Sequence, residues 1–142
     1  MTFLLRAAYA VYLVAVAWLV WNPDPGAPGS AVLHVTTLLQ DWGLPASTTW
    51  VERGLNVVMF VPLSLLGAWV LGWWRVLDWV LAGFAVSLLI EVVQHVAIPT
   101  RSGTTSDVVT NTTGALVGIV LALLSRRIST RVLARRGAGS PR

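Results

Sequence analysis

The chain has 142 residues, enough for one domain, with 56% hydrophobic and only 11% charged residues and a mean hydropathy of +0.73. A soluble domain carries about 25% charged residues, so a surface facing mainly water is excluded. The net charge is +4, and the absence of cysteine removes disulfides, thiolate metal sites and a cysteine nucleophile. No lysine occurs, and arginines 126, 127, 131, 135, 136 and 142 crowd the end of the chain. Directly after an apolar run, such a cluster reads as a cytoplasmic flank against anionic lipid rather than a nucleic-acid arm.

The apolar residues fall into separate bilayer-length runs. They predict an all-α membrane protein with four transmembrane helices and a short interfacial amphipathic helix. The first span covers 2–21 and is interrupted only by Arg6. A cleaved signal peptide competes for this segment, but its length and the belt-like placement of Trp18 and Trp21 favour a retained anchor. Residues 22–29 (NPDPGAPG) break the helix. Residues 30–42 then place Val35, Leu38, Leu39 and Trp42 on one side and His34, Thr37 and Asp41 on the other. That helix is too short to span and is expected to lie along the interface.

The second span is expected at about 50–72, opened by Thr49 and Glu52 at capping-box spacing and holding Pro62. Trp73-Trp74-Arg75 closes it. The third is expected at 76–98, before Pro99, and the fourth at 107–124, with Ser106 as N-cap. The membrane domain is then 1–125, and 126–142 forms a basic cytoplasmic tail. Arg6, Arg75 and the tail arginines share one side only if the number of spans is even, which puts both termini in the cytoplasm.

Polar residues inside such spans are costly and therefore informative. Glu91 lies deep in the third span, with Gln94 and His95 following at i+3 and i+4. In the fourth, Asp107 and Asn111 are one turn apart, and Gly114 and Gly118 continue the stripe. In the second, Asn56 follows Glu52 by one turn. The alternating topology brings Asn56, Glu91, Gln94, Arg101, Asp107 and Asn111 to one depth near the outer surface, where they are candidate ligand-binding residues. Structural readings stand beside this one, since Asn and Gln bond between membrane helices. Gly114 and Gly118, with Pro62, are read as packing residues. Glu91 and Arg101 are expected to pair. Glu91 and His95 have helical metal-ligand spacing, with His34 available, but no metal signature accompanies them, and no metal or cofactor is expected.

These residues resemble a known family. Asn56-Val-Val-Met-Phe-Val-Pro62-Leu looks like the second-helix motif of the VanZ-like membrane proteins. Glu91-Val-Val-Gln94, Arg101-Ser and Asp107-xxx-Asn111-xx-Gly114-xxx-Gly118 look like that family's more specific block. The match covers about 52–122, with Ser64 standing where a glycine commonly follows the Pro-Leu. The resemblance implies a small multi-pass protein of the bacterial plasma membrane and cell envelope, in a family whose founding member is associated with resistance to the glycopeptide teicoplanin.

Three functions follow for weighing. The first is a non-catalytic protein whose outer polar site binds a lipid-linked cell-wall precursor or a lipoglycopeptide. The second is an enzyme using Glu91 and Asp107 as an acid–base pair on a lipid-linked substrate. The third is a transporter subunit, with four helices and no internal repeat counting against it unless the chain oligomerises. Membrane lipids are expected partners, and nucleic acid is not.

Overall fold

The computed structural model describes residues 2–22, 26–97 and 104–138. Among them there are helices and turns only: α1 (Thr2–Trp21), α2 (Gly26–Asp41), α3 (Thr48–Leu71), α4 (Val76–Ala97) and α5 (Thr105–Ala138). Four of these, α1, α3, α4 and α5, are long and apolar enough to cross a membrane. The expected all-α membrane architecture, with four spans and one short extra helix, is what the chain forms.

Boundaries differ from the expected ones for local reasons. Helix α2 begins at Gly26 rather than at residue 30 because Pro28 falls in its first turn, where a missing N–H costs nothing. Its inward side is Val32, Val35, Thr36 and Leu39, whereas Leu38 and Trp42 are exposed. Helix α3 is capped by Ser47, whose hydroxyl accepts from the Trp50 N–H, and not by Thr49. At its other end Gly72, at φ 74°, supplies the left-handed residue that turns the chain toward α4. Helix α5 is capped by Thr104 rather than Ser106 and runs on past residue 124 to Ala138. At 1.5 Å per residue that is about 51 Å, well beyond the ~30 Å hydrocarbon core.

Side-chain contacts set the order of the bundle. Gly114 faces Val57 and Gly118 faces Val61, so α5 runs parallel to α3. Asn111 reaches Ser87 and Ala115 meets Gly83, so α4 is antiparallel to α5. Tyr9 lies near Gly67, the Tyr12 hydroxyl donates to the Met59 carbonyl, and Gln94 donates to the Val20 carbonyl, so α1 is antiparallel to α3. The end where α1 and α4 finish and α3 and α5 begin is called the upper end.

Between apolar helices in lipid there is no water to expel, so association depends on close packing and interhelical hydrogen bonds. Both are concentrated on α5. A Cβ on Gly114 would strike the Val57 carbonyl, and one on Gly118 the Val61 carbonyl and Ser64 hydroxyl. Ser64 is wholly buried and donates to the Ala115 carbonyl at 2.7 Å, stitching α3 to α5 where their backbones approach. Phe60, Ala115, Ile119 and Ala122 complete this seam.

The protein's eight tryptophans mark two levels. Trp18, Trp21, Trp42 and Trp50 lie at the upper end; Trp69, Trp73, Trp74 and Trp79 lie at the lower. Trp50 and Trp69 are separated along α3 by about 28 Å of helix, close to the thickness of a hydrocarbon core. Buried Trp79 donates its indole N–H to the Trp73 carbonyl at 2.9 Å. Arg126 stacks over Trp74 at 4.5 Å, tying the lower part of α5 to the α3–α4 turn.

Candidate functional site

Asp107 organises the upper end of α5. Thr104 is the N-cap, and Asp107 is the third helical residue. Its Oδ2 accepts from the Thr104 backbone N–H and from the Thr104 hydroxyl, both at 3.0 Å. This variant of the capping box also places a carboxylate where the helix dipole favours it. Its other oxygen, Oδ1, accepts from Asn56 Nδ2 at 2.8 Å, which links α3 to α5. Both carboxylate oxygens are therefore engaged.

One turn further along α5, Asn111 is turned into the interior, 3% exposed, and donates through Nδ2 to the Ser87 hydroxyl on α4 at 2.9 Å. Among the described residues its Oδ1 has no partner. Gln94 faces another way and donates to the Val20 carbonyl at the end of α1, at 3.1 Å. Asn56 and Asp107 are thus brought together, Asn111 acts between α4 and α5, and Gln94 acts between α4 and α1. Pro62 is half-buried within α3. Arg101, and with it the expected pairing to Glu91, lies outside the described residues.

Glu91 stands in a different setting. It is half-buried about 9 Å of helix below the end of α4 and within electrostatic reach of Asp107. Among the described residues no hydrogen bond or ion pair engages its carboxylate. It lines a groove of about 490 Å³ between α4 and α5, together with Phe84, Leu88, Val92, His95, Val96, Thr105 and Val108. Several of these walls, including Phe84, Leu88, Val92 and Val96, are exposed on the outside of the bundle, so the groove opens sideways. His95 is exposed beside it, and His34 is exposed on α2.

Ser87 and Thr104 were not among the residues singled out from the sequence. Each had a signal: Ser87 precedes Glu91 by one helical turn, and Thr104 stands at capping-box spacing before Asp107.

The VanZ/LLP1 family profile matches residues 9–126, most of the chain and all of α3 and α4. No curated protein and no solved structure matches the chain. With the seam glycines and the Asn56–Asp107 link inside the matched region, and four helices long and apolar enough to cross a membrane, this multi-pass membrane protein belongs to the VanZ-like family.

Proposed function

We propose that the protein binds a lipid-linked molecule of the bacterial cell envelope at its upper end, without catalysing a reaction on it. The observation that carries this reading is Glu91, a carboxylate with no partner among the described residues, in a mainly apolar, sideways-open groove. A charge held at this depth costs several kcal/mol unless something satisfies it, and such residues mark binding sites by default. A ligand entering from the membrane would lay its chain along Phe84, Leu88 and Val92 and its head near Glu91. The Asn56–Asp107–Thr104 network fixes α3 against α5 beside it, Asn111 and Gln94 hold α4, and Arg101 supplies a cation for a phosphate or carboxylate. The acid–base reading is the weaker one, because three donors already engage the two Asp107 oxygens and hold this carboxylate as a helix cap and a link to α3.

The upper end faces outward in this reading, with both termini in the cytoplasm of the plasma membrane. Arg6, Arg75, Arg126, Arg127 and Arg131 all cluster at the lower end, as the positive-inside rule favours. On the cysteine-free background, a cysteine at Leu44 should label from outside intact cells and one at Ser129 should not.

Lipid-tailed glycopeptides such as teicoplanin are one class of ligand for this site. Expression in a glycopeptide-sensitive Gram-positive host should shift susceptibility to teicoplanin more than to vancomycin, which lacks the acyl tail. Glu91→Gln and Arg101→Ala should each remove the shift at unchanged membrane abundance. Equal shifts for both drugs, or an active Glu91→Gln variant, would contradict the reading.

A further inference from the structure

Resting on the proposal that the groove receives a lipid-linked molecule, its chemistry narrows what the head of that molecule carries. The walls are apolar from Phe84 through Leu88 and Val92 to Val108, which suits a hydrocarbon chain and offers it no polar contact. At the upper edge the polar groups are Glu91, His95 and the Thr105 hydroxyl. The Glu91 carboxylate accepts hydrogen bonds and donates none when ionised. Asp107, the acid within its electrostatic reach, accepts from Asn56 and Thr104 and adds a second negative charge to the same field. Among the described residues, Arg53 is stacked over Trp50 at 5.6 Å on α3, and no cation engages Glu91.

We infer that the groove selects amphiphiles whose headgroup presents a protonated amine to Glu91. An ammonium supplies donors and a compensating charge together, and a charge-assisted hydrogen bond in a low-dielectric setting is about twice as strong as a neutral one. A quaternary ammonium supplies charge without a donor, and an anionic headgroup that carries no amine leaves the Glu91 carboxylate uncompensated. The same amine can be carried by a phospholipid or by a lipid-tailed molecule without phosphate.

The test is native mass spectrometry of the full chain in detergent, titrated with chain-matched phosphatidylethanolamine, phosphatidylcholine and phosphatidylglycerol, and separately with sphingosine. Phosphatidylethanolamine should be retained about tenfold or more over phosphatidylglycerol, with phosphatidylcholine between. Glu91→Gln should abolish that order, while Leu88→Trp, which fills the groove from a lipid-facing position, should weaken every lipid alike. Sphingosine retained as phosphatidylethanolamine is retained assigns recognition to the amine alone; phosphatidylethanolamine alone retained assigns it to the amine with its phosphodiester. Retention that ignores the headgroup, or an order that survives Glu91→Gln, overturns this inference and leaves the binding proposal standing. Retention of no lipid overturns both.

Discussion

Where Gly83 meets Ala115, α4 and α5 lie so close that a Cβ added to the glycine would come within 2.5 Å of the alanine methyl. Two turns higher, between Leu88 and Val108, the same pair of helices parts into a groove holding a carboxylate. The helices are continuous through both regions, so backbone geometry alone does not make the difference. Below, Gly83 faces Ala115, and on the neighbouring α3–α5 seam Gly114 and Gly118 face Val57, Val61 and Ser64, so small size lets backbones approach and hydrogen bonds form. Above, the facing residues are Leu88, Glu91, Val92, Thr105 and Val108, too large or too polar to close. The lower region is where the fold is held, and the upper is where a ligand can be held.

The largest effect should come from closing the space in the seam. Gly114→Ala puts a methyl against the Val57 carbonyl, which is backbone and cannot swing aside. It should cost about 1–3 kcal/mol, read as a lowered unfolding midpoint in detergent. Gly54→Ala on the same bundle meets nothing within 4 Å and should cost nothing, or gain up to ~1 kcal/mol from helix propensity. Equal effects at both positions would show that the seam is not what holds α3 to α5.

The boundary between the regions is Asn111 with Ser87. Ser87→Ala leaves the Asn111 amide buried without an acceptor. Ser87→Ala with Asn111→Leu should be less destabilising than the sum of the single changes. The coupling expected is about 0.6–1.7 kcal/mol, the range seen for hydrogen bonds between membrane helices. Strict additivity would mean that the pair contributes nothing to the α4–α5 contact.

In the upper region Asp107→Ala removes the bonds to Thr104 and Asn56 together and should cost about 1 kcal/mol, the usual scale of a lost cap. Glu91→Gln should be the mildest, within about 0.5 kcal/mol of the parent, because no described partner is stranded. A large loss on Glu91→Gln would make that residue a structural one.

The spans were legible because run length and hydropathy report directly on a bilayer, and the glycine stripe was legible because Gly114 and Gly118 sit one turn apart. Helix ends were less so. The apolar run stops at Leu124, but that marks where α5 leaves hydrocarbon; the Arg, Ala, Leu and Ile that follow are adequate helix formers in water, so the helix continues. At residues 104–107, Thr104 and Ser106 are both suitable caps, and the carboxylate of Asp107 decides for Thr104. Depth could be read from the sequence, whereas helix rotation could not. Glu91 and Gln94 are one turn apart, yet about 60° of rotation sends the first to the groove and the second to α1. Ser87 gave only a weak signal, since a lone serine in a membrane helix commonly bonds to its own backbone.

Whether the α4–α5 groove, unlike the rest of the apolar surface, holds a lipid-linked molecule is tested by photocrosslinking native membranes with a diazirine-bearing fatty acid that cells incorporate into their lipids. The adducts are then located by peptide mapping. Adducts should concentrate on Phe84, Leu88 and Val92 and fall sharply there in Leu88→Trp. Adducts as frequent on the more exposed residues of α1, Leu4, Val11 and Val14, would contradict binding in the groove.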